Sequence, residues 1–443
     1  MEGYSPDRRT ALVFCGTGAH GAYQAGVLRA LQEAGVKIDI VAGHGIGAAT
    51  AAVAAIDGGA RLWEADGVWR GAAAAHLYRW KWPVRAAGWL MFPLAAALFA
   101  PIVFAFARVA VPSTVPIVAT ILAVAVVLVL GGYLIVEQYT APRKRRSVGS
   151  WWWRIAGAPL DADRARSLVI DTIWGLIRGA APAVQPDQAT LGRRYSEVLA
   201  ESLGQPGFRE LLVVAHDLET HRDIVAALLR ESYRREFMAR RPGRERLAEA
   251  LDLAGIGRDH AIDMVAGALS MPLGVDPYLV TFTPDTYWRG ETHRLADRPG
   301  AVARVLEELY AAGASQVLLV SAVAVAAGPH RLVSPALDLP HRLGEFVASA
   351  EAAAIRDAVE HARLRFDGVF LICPAHNPVG PFDFAGAYDQ ASDRRQTLSE
   401  LMERGYEDAY RQFIEPVVGA SGEHLHIGDA HGQGVLDDAD SRR

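Results

Sequence analysis

Residues 11–52 read ALVFCGTGAHGAYQAGVLRALQEAGVKIDIVAGHGIGAATAA, and the order of apolar runs and glycines in this stretch decides the fold. Ala11 to Cys15 is an apolar run of one buried strand's length. It empties into Gly16, Gly18 and Gly21, where the backbone turns with no Cβ in the way. From Ala22 to Glu33 the residues Tyr23, Val27, Leu28 and Leu31 recur at helical spacing, and Gly35 supplies a stop. A second strand, Ile38 to Ala42, ends in Gly43-His44-Gly45-Ile46-Gly47 and opens a small-residue helix, Ala48 to Ile56. Strand, glycine turn and helix, repeated once, predict the start of a parallel α/β sheet, with a candidate anion site at each helix N-terminus.

Two chemistries compete for the first turn. Gly16-Thr17-Gly18-Ala19-His20-Gly21 fits the dinucleotide pattern G-x-G-x-x-G between a strand and a helix. That pattern needs an acid at the far end of the second strand to hold a ribose hydroxyl. The nearby acid, Asp39, stands at the start of that strand, and the far end carries His44. A nucleotide is therefore disfavoured, and no cofactor is expected.

The stretch resembles the patatin-like phospholipases. In that family a strand feeds a loop of the form G-G-G-x-R-G whose amides form the oxyanion hole. The next strand ends in the nucleophile elbow G-x-S-x-G, and a distant D-G-G or D-G-A supplies the aspartate of a Ser-Asp dyad. Cys15 to Leu28, CGTGAHGAYQAGVL, resembles the loop and its helix, with His20 where the family has arginine. Val41 to Ala48, VAGHGIGA, resembles the elbow. The resemblance implies a three-layer α/β domain with a parallel sheet. It also implies oxyanion or anion binding at Gly16, Thr17, Gly18 and Gly21, a pocket near His20, His44, Ile46 and Gly47, and a membrane lipid or fatty acid as partner. Weaker echoes are VVAHDLET from Val213 to Thr220 and AGALSMP from Ala266 to Pro272.

Neither dyad residue is found where the resemblance looks for it. Gly45 holds the nucleophile position and has no side chain to attack with. Downstream, Tyr278 to Phe282 reads as a strand, Tyr287-Trp288-Arg289-Gly290-Glu291 follows, and a helix from Ala301 to Ala312 leads into the strand Gln316 to Val320. On that alignment Arg289 takes the aspartate's place and turns the site's preference toward a carboxylate or phosphate. Acyl transfer needs a nucleophile, a base and oxyanion donors, and this reading keeps the donors alone. The chain is thus expected to be a lipid-binding or regulatory pseudoenzyme. The alternatives are a lipid acyl hydrolase with a nonstandard nucleophile and a membrane-proximal interaction scaffold.

A net charge of −5 over 443 residues argues against a nucleic-acid partner. Cys15 and Cys373 lie in apolar runs and suggest no disulfide framework, and Met1 to Arg9 is too polar for a signal peptide. Composition then shifts. Residues 86–107 carry no charge and are interrupted only by Pro93 and Pro101, and 117–136 are also uncharged. Each run reaches the about 20 residues a membrane span needs, so a transmembrane helical hairpin is predicted to interrupt the α/β domain. Arg79, Lys81 and Arg85 precede it and Arg143 to Arg146 follow, against Arg108 alone in the turn. Both termini and the α/β domain are therefore expected on the cytosolic side of the inner-membrane bilayer, with Trp80, Trp82 and Trp151 to Trp153 at the interface.

The expected organisation is 8–77 and 160–340 as the two parts of the patatin-like domain around an insertion at 78–153. A C-terminal α/β extension over 341–418 and a disordered tail over 419–443 complete it. In detail, Ala162 to Ile177 reads as a helix and Pro182 to Arg193 as a loop. Gly344 to Arg365 and Gln396 to Phe413 read as helices on either side of the strand Val369 to Cys373. His424, His426 and His431 beside Glu423 and Asp429 lie in that tail, and no metal site is expected from them.

Overall fold

The computed structural model describes residues 3–71, 73–82, 84–86, 88–89, 92, 95–96, 99, 106, 114–140, 158–179, 184–240, 243–323, 339–374, 379–384, 386–389 and 394–419. The chain forms two compact units. One comprises 1–77, 162–272 and 277–443, and the other 78–161 with 273–276.

In the larger unit the first strand is β1 (Thr10–Cys15), followed by helix α1 (His20–Glu33), β2 (Ile40–His44) and α2 (Ile46–Ala54). The predicted order of elements is the observed one, with both β2 and α2 shifted by about two residues. Every residue of β1 and β2 is buried, as expected of strands covered on both faces in a parallel sheet. β1 lies between β2 and β10 (Gln316–Ser321), both parallel to it, and β11 (Gly368–Ile372) extends the sheet beyond β10. The C-terminal segment thus supplies a strand of this same sheet.

Beyond β2 the sheet continues through β5 (Glu210–Asp217), β6 (Arg222–Leu228) and β7 (Glu249–Asp252). β6 is antiparallel to β5, joined to it by the tight turn at Leu218–His221, and β7 is again parallel to β6. β9 (Thr292–Ala296) pairs antiparallel with the end of β5 and with β8 (Tyr278–Thr281). The sheet is parallel at its centre and mixed at one side.

Helices cover both faces. Val302, Val305, Leu306 and Leu309 of the helix Val302–Ala311 join Val13, Ala42, Leu212 and Leu319 in one apolar core. The long helix Leu339–Ala362 adds Ile355, Ala358 and Val359 to it. The predicted loop over 182–193 is in part the start of a helix, Gln188–Ser202, whose N-cap Asp187 accepts from the amide of Thr190. A single acid before a polar run is a weak cap signal, and that helix buries only a narrow stripe. The predicted helix 396–413 divides into Leu398–Ala409, opened by a Thr397/Glu400 capping box, and a π-helical turn through Tyr410–Gly419.

In the smaller unit β3 (Arg79–Trp80) pairs antiparallel with β4 (Leu160–Asp161). The predicted span 117–136 falls within a helix of 27 residues, Thr114–Thr140. Most of the predicted span 86–107 lies outside the described residues, as does the tail with its histidines. Counted over the described residues, which leave out many side chains of the 27-residue helix, no helix is long and apolar enough to cross a membrane.

Candidate functional site

The parallel register sets Phe14 beside Gly43, so the C-terminal ends of β1 and β2 lie next to each other. The glycine loop after Cys15 and the turn after His44 therefore meet at the carboxyl edge of the sheet, where open α/β sheets place their sites. The Ile46 amide donates to the carbonyl of Gly16 at 3.0 Å and fixes the two turns to each other.

Gly45 caps α2 with φ 58° and ψ −134°, a backbone that L residues with a side chain adopt only under strain. A nucleophile elbow is a sharp strand-to-helix turn of this kind, and here glycine stands at its tip. The space where a side chain would begin is also taken. A Cβ on Gly45 would lie 2.3 Å from the Gly16 carbonyl oxygen and 2.6 Å from Oδ2 of Asp297.

Asp297 is the acid that faces the elbow. It follows β9 and opens the turn Asp297-Arg298-Pro299-Gly300 into the helix Val302–Ala311. Three donors converge on its carboxylate: His44 Nδ1 at 3.1 Å, Thr17 Oγ1 at 2.9 Å and the Arg298 amide at 2.8 Å. The alignment that gave this place to Arg289 is corrected. Arg289 is exposed, sits at φ 46° in a turn, and borders a separate cleft of about 920 Å³ with Arg222, Glu249, Asp285 and Trp288. Glu291, two residues on, has its carboxylate 3.4 Å from His293 Nε2.

Two amides of the glycine loop are bonded within the protein. The Thr17 amide donates to His20 Nδ1 at 2.9 Å. That bond requires the neutral tautomer with its proton on Nε2, which donates to the Val379 carbonyl at 2.9 Å. Burial pushes the His20 ring down to about 4, in keeping with a neutral imidazole. The Ala19 amide donates to the Pro381 carbonyl at 3.0 Å. Above Gly18 a Cβ would meet the same Pro381 oxygen at 2.1 Å, with Phe384 and Met271 close by. Of the other residues expected at the loop and the pocket, Gly21 packs on Trp69 and Gly47 on the backbone of Phe14. Ile46 and Thr50 border an apolar cavity of about 20 Å³, room for one water and none for an acyl chain.

Charge is concentrated in this closed space. Thr17, His20, His44, Asp297 and Glu351 are each at least 96% buried. Burial opposes a charged His44 ring, but the charge and hydrogen bond of Asp297 outweigh it and hold the ring well above its ordinary value. The ring is thus held toward its charged form by the neighbouring carboxylate. Cys15 lies against the same ring, and burial pushes its thiol up. Glu351, from the helix Leu339–Ala362, reaches Thr17 Oγ1 at 2.7 Å through Oε1, while its Oε2 has no hydrogen-bond partner. Burial pushes this carboxyl up to about 7.

Sequence reasoning brought Gly45, His44, His20 and Thr17 to one place and missed Asp297 and Glu351. Asp297 had a signal, an acid directly ahead of a helix that runs into a core strand. Glu351 had none, since one glutamate in a long alanine-rich helix reads as a solvated face. Among the described residues no cluster of histidine, cysteine and acidic side chains is arranged to hold a metal.

Residues 12–166, which contain the glycine loop and the elbow, match the family model of the patatin-like phospholipases. The resemblance read from those two motifs is therefore borne out over that part of the chain. Among solved structures, VipD from Legionella pneumophila is 14% identical with a TM-score of 0.32, the match covering 94% of this chain and 67% of VipD. The type III effector protein ExoU is 14% identical with a TM-score of 0.25, over 98% of this chain and 64% of ExoU. The chain thus spans about two thirds of the length of either protein. No curated protein matches it.

Proposed function

We propose that this protein is a patatin-fold membrane protein without acyl-hydrolase chemistry, which binds a lipid or a regulatory partner beside the bilayer. One observation carries the reading. The elbow holds glycine, and the room for a nucleophile is filled by Gly16 and Asp297. Removing a nucleophile typically costs several orders of magnitude in rate, and here the loop amides of Thr17 and Ala19 also bond within the protein. Purified wild-type protein is expected to hydrolyse phospholipid and short-chain esters no faster than a mock preparation. Turnover that survives purification overturns this reading.

A second reading, an acyl hydrolase with a nonstandard nucleophile, is favoured by one contact. The His44 ring lies between Cys15 and Asp297, in the order nucleophile, base and acid. Against it, Cys15 is 1% exposed and its thiol is raised rather than lowered. Hydrolysis lost in Cys15→Ala would establish this second reading.

The membrane part of the proposal rests on exposed apolar surface. Trp82, Trp89, Phe92, Phe99 and Phe106 are exposed, as are Ile117, Ile121, Val124, Val127 and Leu128 along the 27-residue helix. In water such a surface is a liability, and in a bilayer it faces its proper solvent. The seven flanking bases against Arg108 support a topology with the turn outside and the α/β unit in the cytosol. Single cysteines at Ser113 and Ser147 check this with an impermeant thiol reagent on intact cells. Labelling is expected at Ser113 alone, and labelling at Ser147 alone refutes the topology.

A further inference from the structure

Thr17 poses a proton-counting problem. Its hydroxyl lies 2.9 Å from Asp297 and 2.7 Å from Glu351, yet it has one proton to give. Asp297 accepts from His44 and the Arg298 amide as well, so it is the ionised carboxylate. Glu351 has no other hydrogen-bond donor: its Oε2 lies 3.4 Å from His20 Nδ1, but that nitrogen already accepts from the Thr17 amide and carries no proton to give. The contacts are satisfied when Glu351 carries a proton and donates to Thr17 Oγ1, which in turn donates to Asp297. With Glu351 ionised, two buried carboxylates would share one hydroxyl proton, an arrangement like charges disfavour.

The helix that carries Glu351 also touches the segment that caps the glycine loop. A Cβ on Gly344, in the same helix, would stand 3.2 Å from the ring of Phe382. Residues 379–384 then reach the loop through Val379 to His20 and Pro381 to Ala19. The Pro381 oxygen accepts a loop amide as the oxygen of an ester or carboxylate ligand would.

We propose that residues 379–384 are a strap that closes the glycine loop, and that the proton shared by Glu351 and Thr17 latches it. Loss of that proton drives the helix and the strap off the loop and exposes the Ala19 amide to a carbonyl- or carboxylate-bearing ligand. The inference stands on the closed geometry and holds whether or not the protein proves to be a hydrolase. The titratable groups facing Glu351 are Cys15 at the end of β1, His20 at the start of α1, His44 at the end of β2 and Asp297 after β9.

The sign follows from proton binding. A carboxyl raised to about 7 when closed, against 4.5 when free, favours the closed state below 4.5 and loses that advantage as pH rises to about 7. His20, held low by burial, acts in the opposite direction, so a comparison is needed that cancels it. Glu351→Gln provides one, because its amide donates to Thr17 at every pH. Amide exchange of the full chain is measured at the loop and at 379–384 in both proteins. The ratio of wild-type to variant opening is expected to rise roughly 40-fold between pH 5 and pH 7 and to level off above. A constant ratio overturns the latch. Should the variant fail to fold, infrared titration of wild type must show a buried protonated carboxyl lost near pH 7, and the absence of such a signal overturns the latch equally.

Discussion

Gly45→Ser is expected to destabilise the protein by about 3 kcal/mol or more and to leave it without esterase activity. A side chain at φ 58° costs about 1–3 kcal/mol by itself. Forcing a Cβ to within 2.3 Å of a backbone oxygen adds an overpacking cost of about 1–3 kcal/mol, since Gly16 is held by the Ile46 amide and has no rotamer to yield. The new hydroxyl would meet Asp297, but that carboxylate already accepts from His44, Thr17 and Arg298, which makes it a poor base for a serine. Urea unfolding gives the stability, and a fluorogenic ester gives the activity. A Gly45→Ser protein as stable as wild type and hydrolytically competent would show that the elbow has room the structure denies it.

Asp297→Asn is expected to cost about 3–5 kcal/mol near pH 6, because it leaves the His44 cation buried without its counter-charge. Asp297 lies apart from the expected Arg289 alignment, so this variant also separates the two assignments. Arg289→Ala, at an exposed turn, is expected to change stability by no more than about 0.5 kcal/mol. The pH dependence gives a second check. A histidine raised in the folded state contributes stability that is full below its free value of about 6.5 and is lost as pH rises through the folded value. The gap between wild type and Asp297→Asn should therefore be widest below about pH 6.5 and narrow toward pH 9. Equal gaps at both ends would mean that Asp297 does not hold a charged ring.

The two substitutions differ in what the closed site makes of them. One adds atoms where there is no space, and the other removes a charge that has no substitute. Both outcomes follow from a polar network sealed beneath Pro381 and Phe384 rather than open to substrate. In an enzyme the same carboxyl edge would keep its amides and its base unpaired until the ligand arrived. In this protein the Thr17 and Ala19 amides are already bonded to His20 and to the Pro381 carbonyl.

Local signals were enough for the elements that build the site. The apolar run before Cys15, the glycine loop, the helical spacing through Leu31 and the glycine turn at Gly45 are near neighbours in sequence, and each was legible where it stands. Glycine at the elbow-like position was legible too, because the motif fixes that position to one residue. The partner acid was not. Ser-Asp pairing depends on which of several loops returns to the carboxyl edge, and Arg289-Gly290-Glu291 shares the motif's glycine whereas Asp297-Arg298-Pro299 shares its aspartate. The antiparallel β6 and β9 were missed for a related reason, since strand direction is set by pairing across the sheet and leaves little trace in the strand's own composition.

By itself the sequence determined the parallel α/β start of this protein, its glycine-lined edge and the absence of a serine at the elbow, because strand, turn and helix propensities act over a few residues. Only the tertiary structure decided that the edge is shut. His44 meets Asp297 across 253 residues, and Thr17 meets Glu351 across 334, distances over which no local pattern carries information. The physical reason is burial. Charges and amides removed from water must find partners, and which partners they find is fixed by packing that brings β9, the helix Leu339–Ala362 and the strap at 379–384 over the same loop.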